Sequence, residues 1–405
     1  MTPGLPVPTD FGPPPTAGER ARWADADAAA RPARLARIRA RLASDGLDAY
    51  FGIRPENSRY LTGFALGDGE DRVAGQSGRF LVSGDEVVVL ADSRYTIQAG
   101  REAVGARVEP ITNDLAARWS ELAASVGARR VAVEAAFVSH ALWRALEATA
   151  PDVELVAVDG WVETDRATKE PSEMDRIRAA CAVADRALAV LLPEIRVGVT
   201  EAELAWRLEV LMRTGGAEGL AFDVACLAGP EAALPHGSPG PRPVIDGAVL
   251  LFDFGARVDG YRSDMTRTLF VGEPSPRDLD LYALVARAQG AAIAAVEASA
   301  AAGGPAPSGR AVDAAARDVI AAAGMGDRFG HGTGHGIGLA THEGPSLSRV
   351  APATPLPSPT VFSVEPGVYI EGETGVRIED LVLFDVDARR AERLTCFPHG
   401  ILVLG

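Results

Sequence analysis

Cysteine is scarce: Cys181, Cys226 and Cys396 lie far apart with no Cys-x-x-Cys pair. That excludes a disulfide framework and a thiolate metal site, and it fits a reducing, cytoplasmic setting. Positive charge is in deficit as well. Forty Lys and Arg face 55 Asp and Glu, a formal net charge of −15, which argues against a nucleic-acid partner. No uninterrupted apolar run reaches about 18 residues, so no membrane-spanning helix and no membrane partner are expected. The opening MTPGLPVPTDFGPPP lacks the basic and apolar regions of a secretory signal. Its prolines instead suggest a poorly ordered or polyproline-like arm over residues 1–20. Glycine and proline, 43 and 28 residues, stay below the roughly 25–30% that marks a low-complexity chain. With 47% hydrophobic and 23% charged residues, the chain can bury a sizeable core.

At 405 residues, a prior of roughly 150 residues per domain allows two or three domains. Extended runs at 48–53, 79–92, 129–134 and 153–158 alternate with helical stretches near 93–103, 113–126 and 138–150. That alternation predicts a small α/β domain over residues 21–165, with a helix from Trp23 to about Ala43 leading in. The polar stretch 161–173 reads as a linker. From 166 to 405 the order of elements repeats. Helices at 172–192 and 201–214, the latter opened by a Thr200/Glu203 capping box, precede the pair AVLLFDFG and RSDMTRTLFV. Helices at 277–302 and 309–323 precede a second pair, TVFSVE/GVYI and GVRIEDLVLF. Two halves, each helix, helix, hairpin, predict an α+β domain with pseudo-two-fold symmetry whose hairpins face each other across a cleft.

Asp253 and Asp264 lie opposite one another if the first hairpin turns between Val258 and Asp259; a turn centred on Asp259-Gly260 lies one residue further on. Glu365 and Glu379 oppose each other about Gly372. Opposed like charges in apolar strands are destabilising unless a cation lies between them. Four histidines add to this: His236 in LPHGSP, and His331, His335 and His342 in HGTGHGIGLATHEGP. The glycines of the second segment disfavour a helix, so His331/His335 is not a helical zincin pair, and the Lys-Ser/Thr of a phosphate-binding loop is missing. Four carboxylates with imidazoles suit two Mn²⁺, Zn²⁺, Co²⁺ or Fe²⁺ ions sharing a hydroxide. The matching chemistry is hydrolysis of an amide at a peptide N-terminus; no convergent Arg/Lys set favours a phosphoesterase.

LPHGSP, LLFDFGARVDGYRSDMTRT, HGTGHGIGLATHEGP, SVEPGVYI and GVRIEDLVL together resemble the motifs of the pita-bread metallopeptidases, within them the Xaa-Pro dipeptidase (prolidase) and aminopeptidase P branch. DAYFGIRPENSRYLTGF and ADSRYTIQA resemble that branch's creatinase-like N-terminal domain. The resemblance covers residues 33–405. It implies a pita-bread catalytic domain behind a creatinase-like α/β domain, and two divalent metal ions per subunit, Mn²⁺ first, with Zn²⁺ or Co²⁺ also fitting. It implies Asp253 on one metal, Asp264 and Glu379 bridging, and His335 with Glu365 on the other. Glu365 would also shuttle protons, with His236 and His342 assisting catalysis, while His331 and Arg377 would serve substrate binding and orientation. The implied substrates are small peptides with proline second, dipeptides before longer ones. At the position where some compact prolidases carry an arginine stands Ser346, which leaves Arg349, Arg54, Arg72 and Arg94 as candidate partners for a substrate carboxylate. Two alternatives are weighed: metal-free creatinase-like hydrolysis and a non-enzymatic binding module, both disfavoured by the intact ligand set. The resemblance also implies a homodimer, with residues 67–78 a candidate closing loop.

Overall fold

The computed structural model describes residues 7–8, 10–67, 75–112 and 114–404. Arg72 and most of the candidate closing loop lie outside these residues. The described chain forms two compact units, residues 21–165 and residues 166–404 with the described part of the first twenty.

The smaller unit opens with α1 (Ala17–Asp45), β1 (Ala49–Gly52) and α2 (Pro55–Thr62). It continues through β2 (Phe80–Ser83), β3 (Val87–Ala91), α3 (Thr96–Glu102) and β4 (Arg107–Pro110). Then come α4 (Leu115–Ser125), β5 (Arg130–Glu134), α5 (His140–Thr149), β6 (Glu154–Val158) and α6 (Trp161–Ala167). The strands form one mixed sheet, β4-β3-β2-β1-β5-β6. Phe51, Leu81, Trp119 and Val131 pack within its core. Its buried carboxylate, Glu134, accepts from the Tyr50 hydroxyl at 2.5 Å and from the Ile53 and Arg54 amides. The stretch read as a linker is partly helical, as α6, and Glu170 then caps the next helix through a capping box with Glu173. Arg54 is paired with Glu56 and Glu163, and Arg94 with Asp92.

The larger unit begins with α7 (Pro171–Leu191), α8 (Glu201–Thr214), β7 (Gly219–Leu220) and β8 (Ala225–Ala228). Its first hairpin comprises β9 (Ala248–Phe254), β10 (Ala256–Val258), β11 (Tyr261–Arg262) and β12 (Met265–Val271). After α9 (Pro276–Ala302) and α10 (Gly309–Ala322) come β13 (Gly334–Gly336) and β14 (Glu343–Leu347). The second hairpin comprises β15 (Thr360–Val364), β16 (Gly367–Ile370), β17 (Thr374–Arg377) and β18 (Asp380–Asp385), followed by β19 (Arg390–Arg393) and β20 (Val403–Leu404). The two long sheets run β20-β12-β9-β8 and β14-β13-β15-β18-β19. Thr200 and Glu203 form the expected capping box.

Register decides which residues meet. Asp259 and Gly260 both have positive φ, 45° and 78°, the two-residue turn that Asp-Gly favours. Thr266 therefore faces Asp253, and Asp264 sits one diagonal away on the same strand face. In the second hairpin Val364 pairs with Asp380 and Gly367 with Arg377, so Glu365 and Glu379 face each other in the gap between the two ladders. The hairpins are stitched directly together: the Glu379 amide donates to the Thr266 carbonyl at 3.2 Å and the Thr268 hydroxyl to the Arg377 carbonyl at 2.9 Å. From α9, Gln289 donates to the Val364 and Ile378 carbonyls and to Asp380.

By length and composition α9 could cross a membrane, although no uninterrupted apolar run announces it. In this fold Val285, Ala292 and Val296 lie in the main core with Val312 and Ile320 of α10 and Phe362 of β15. Residues 10–16 of the proline-rich arm lie on this unit, where Arg186 donates to the Gly12 carbonyl and Arg20 to that of Gly216 at 3.1 Å.

A buried charge triad closes the segment that follows the second sheet's first strand. The Glu343 side chain, 2% exposed, meets Arg166 and the Lys169 ammonium, the latter at 2.9 Å. Burial would raise the Glu343 pKa, but the two cations bring it down to about 2. A depressed carboxylate contributes stability above its unfolded value and loses it as pH falls toward 2. Glu343→Gln leaves two buried cations short of their partner, and urea unfolding at pH 7 is expected to show a loss of about 3–5 kcal/mol. That difference should shrink as the pH is lowered below about 4.5.

Candidate metal centre

Five side chains named from the sequence as metal ligands line one cavity of about 470 Å³, together with His236, His331, His342 and Arg377. Asp264 and Glu379 are the deepest, 4% and 1% exposed. The side chains of Asp253, Glu365 and His335 are 17%, 16% and 17% exposed, open to the cavity. Ligand atoms of Asp264, His335 and Glu379 all lie within 4.8 Å of one another. His335 Nε2 stands 3.3 Å from Glu365 Oε1 and 3.6 Å from Asp264 Oδ2.

The glycines around His335 allow this approach. A Cβ on Gly334 would lie 1.9 Å from the Ser363 carbonyl oxygen, and one on Gly336 would lie 2.0 Å from that of Gly344. The backbone is a short strand with a bulge between His335 and Gly336, not a helix. From α10, Asp313 accepts from the Thr333 amide and hydroxyl at 3.0 and 2.9 Å. Arg317, paired with Asp313, donates to the Phe329 and His331 carbonyls.

Arg377 has all three nitrogens engaged. It donates to Asp253 Oδ2 at 2.6 Å, to Thr266 Oγ1 at 2.9 Å, and to the Tyr369 hydroxyl at 2.9 Å. It therefore orients Asp253. Thr266 in turn donates to Glu379 Oε2 at 2.7 Å. His331 Nδ1 lies 2.7 Å from the Gly332 carbonyl and Nε2 lies 2.8 Å from the Tyr369 hydroxyl. A carbonyl only accepts, so Nδ1 carries the proton; Tyr369 accepts from Arg377 and donates to Nε2. Burial lowers the His331 pKa, in keeping with that neutral tautomer. His342 lies tilted against His335, ring centres 4.3 Å apart, and His236 stands exposed on the cavity wall.

Thr266, Tyr369, Asp313 and Arg317 escaped the sequence reading. Thr266 shares the face of Asp264 two residues earlier, and Asp313/Arg317 form an i,i+4 pair on one helix face; both signals were present. Nothing local marks Tyr369, whose partners lie on other strands.

The donor set fits divalent cations. Four clustered carboxylates and, on the wall, Asp223 share the cavity with one arginine. Burial, then the neighbouring Glu379 and Asp253 charges, hold Asp264 well above the usual carboxylate range. Burial with Glu365 and Asp253 does the same to Glu379. Burial would raise Glu365 too, but its hydrogen bond and ion pair with His335 pull it down, and those same interactions lift His335 against the effect of its own burial. Asp253 Oδ1 and Glu379 Oε1 are buried without a hydrogen-bond partner. Two lone oxygens beside a repelling cluster are what a cation would satisfy.

Comparison with known proteins agrees with this geometry. The model of metallopeptidase family M24 matches residues 175–385. The chain belongs to metallopeptidase family M24. The creatinase/prolidase N-terminal domain matches residues 34–168. An uncharacterized peptidase of Bacillus subtilis, YqhT, is 33% identical over 92% of this chain and 100% of its own length. The structure of an Xaa-Pro dipeptidase from Bacillus anthracis superposes with a TM-score of 0.82 at 32% identity, over 92% of this chain and 100% of that one. That of an X-Pro aminopeptidase from Thermotoga maritima gives 0.80 at 34% identity, over 91% and 99%. The fold is thus the M24 pita-bread catalytic domain behind a creatinase-type N-terminal domain.

Metal-stripped protein is expected to gain several degrees in melting temperature on adding Mn²⁺ or Zn²⁺; at 100-fold excess over Kd the gain corresponds to about 2.7 kcal/mol. Asp264→Asn should lose that response. Its metal-free form should melt at or above the metal-free parent, because a source of repulsion is gone. Equal metal responses in both proteins would remove Asp264 from the centre.

Proposed function

We propose that the chain hydrolyses the peptide bond before proline, as an Xaa-Pro dipeptidase using two divalent metal ions. The observation that carries it is the cluster of four carboxylates about His335, held by two facing hairpins with two oxygens unpartnered. The M24 membership and the Xaa-Pro peptidases among its structural neighbours support the substrate class. Asp253 would hold one ion, His335 and Glu365 the other, with Asp264 and Glu379 shared between them. Bound there, the ions supply a water of lowered pKa and a positive charge for the scissile carbonyl.

The remaining work falls to the chain's own groups. Glu365, held ionised by His335 and lining the cavity, would take a proton from the attacking water. Ser363 fixes it by donating to Oε1 at 2.9 Å. His342 and His236, exposed on the cavity wall, would pass a proton to the departing proline nitrogen. His331, neutral and held by Tyr369, presents its ring as a wall for the substrate. The bond before proline is a tertiary amide without an N–H, so it cannot be bound as an extended strand in the ordinary way.

A second reading is release of the N-terminal residue from longer Xaa-Pro peptides, as by aminopeptidase P. It is favoured by one observation. Among the described residues lining the cavity no lysine or arginine is uncommitted, Ser346 stands where a clamp would, and Arg349 does not line it. Three free, dispersed cysteines support a reducing, cytoplasmic setting. The sequence resemblance supports a homodimer; light scattering that reads a single-chain mass overturns it.

Metal-stripped protein is to be assayed with and without Mn²⁺ or Zn²⁺ on Ala-Pro and Ala-Pro-Ala. Metal-dependent release of alanine is expected, from Ala-Pro for a dipeptidase and from Ala-Pro-Ala for the second reading. Glu365→Gln should lower kcat by about 100- to 10,000-fold. Neither peptide being cut by metal-loaded protein would refute the substrate class while leaving the metal centre standing.

A further inference from the structure

One charged side chain on the cavity wall has no part in this chemistry. Asp223 and its neighbour Phe222 both line the cavity, Asp223 exposed and Phe222 half-buried. Their backbone is fixed on either side. The Ala221 amide donates to the Gly255 carbonyl at 2.8 Å, and its own carbonyl accepts from the Thr341 hydroxyl at 3.0 Å and from Arg262. Two residues on, Ala225 pairs with Asp253 across β8 and β9. Asp223 is therefore set rigidly on the flank that carries Asp253. The flank built by β13 and β14 is different in charge: Ser346 pairs with His335, and the Ser346 hydroxyl donates to that of Ser348 at 3.1 Å. Among the described residues lining the cavity, Asp223 is the one carboxylate or cation with no hydrogen bond or ion pair.

We propose that Asp223, with Phe222, selects the residue ahead of proline and favours lysine or arginine there; this rests on the Xaa-Pro reading above. A peptide entering a cavity with one acidic and one neutral flank turns its positive, amino-terminal end toward the acid. The first side chain then lies along Phe222. A lysine or arginine there lays its methylene stem on the ring and keeps its charged end in water beside Asp223. Phe222 also tolerates a small apolar residue, so the effect is a preference and not an exclusion. Because Asp223 is exposed, the attraction is that of a surface ion pair and weakens with salt.

The test measures kcat/KM for Lys-Pro, Ala-Pro and Glu-Pro, and for the same three extended by alanine, at low and high salt. For the length that is cleaved, the order Lys over Ala over Glu is expected, with steps of about two- to fivefold. High salt should compress the steps in the unmodified enzyme, a readout that depends on no variant folding. Asp223→Asn should level the series and Asp223→Lys should invert it, with melting temperatures checked alongside. Cleavage of all three at rates that neither salt nor either substitution reorders overturns the role of Asp223 and leaves the Xaa-Pro reading intact. No cleavage of any proline peptide by metal-loaded enzyme overturns both.

Discussion

Four carboxylates are held against one another in a cavity that offers a single arginine as counter-charge. Left to itself such a cluster would push its strands apart or take up protons; burial first, and the neighbouring carboxylates after it, raise the pKa values of Asp253, Asp264 and Glu379. The surrounding structure withstands it because the two hairpins are bonded to each other rather than merely packed. Arg267, buried, donates to the Glu379 and Thr266 carbonyls and to Asp380, which also accepts from Gln289 of α9 and from Thr395. The Glu379 amide and carbonyl are both engaged, which holds its carboxylate in place. A site built this way trades stability for readiness to bind cations.

Around this centre the same device recurs at each functional segment: a buried charged group ties down backbone that carries an imidazole. Asp313 and Arg317 do so for the stretch before His335. Glu343, gripped by Arg166 and Lys169, follows His342 directly and accepts from the Ala340 amide, so the loop bearing that histidine is anchored one residue from its ring. Arg377 couples the two sides, reaching Asp253 with one nitrogen and, through Tyr369, His331 with another. The glycine-rich segment has little side-chain packing of its own, and these bonds take the place of a core. What remains unbonded is the wall that a substrate would meet, where Asp223 supplies charge and Phe222 apolar surface.

Much of this was legible in the chain. The second hairpin follows the register read about Gly372, because a single turn residue at φ 72° leaves few ways to pair the strands. The turn of the first hairpin lies one residue further on than Val258-Asp259, which moves the partner of Asp253 two residues along, from Asp264 to Thr266, since Asp259 and Gly260 together adopt the left-handed conformations that a two-residue turn requires. The diagonal placement of Asp264 is the result, and the shared strand face survives because register shifted without changing parity. Residues 161–167 read as linker by polarity yet form a helix, and α9 is more apolar than its broken runs suggested because its alanines lie between larger residues that the core absorbs. The partners of Arg377, Asp253 and Tyr369, are set by which strands lie across from it.

The chain alone determined the kinds of donor, the strand faces that carry them and the turns that set their spacing. These are local properties, governed by the two-residue period of a strand and by the backbone freedom of Asp, Asn and Gly, and they can be read a few residues at a time. Only the tertiary structure decided that the hairpins around Asp253 and Glu379 meet, that Tyr369 joins His331 to Arg377, and that Asp223 stands unpaired on the Asp253 flank. Those contacts link positions up to 124 residues apart, and they exist only once α9 and α10 have packed the two sheets against each other. No window of sequence contains that distance.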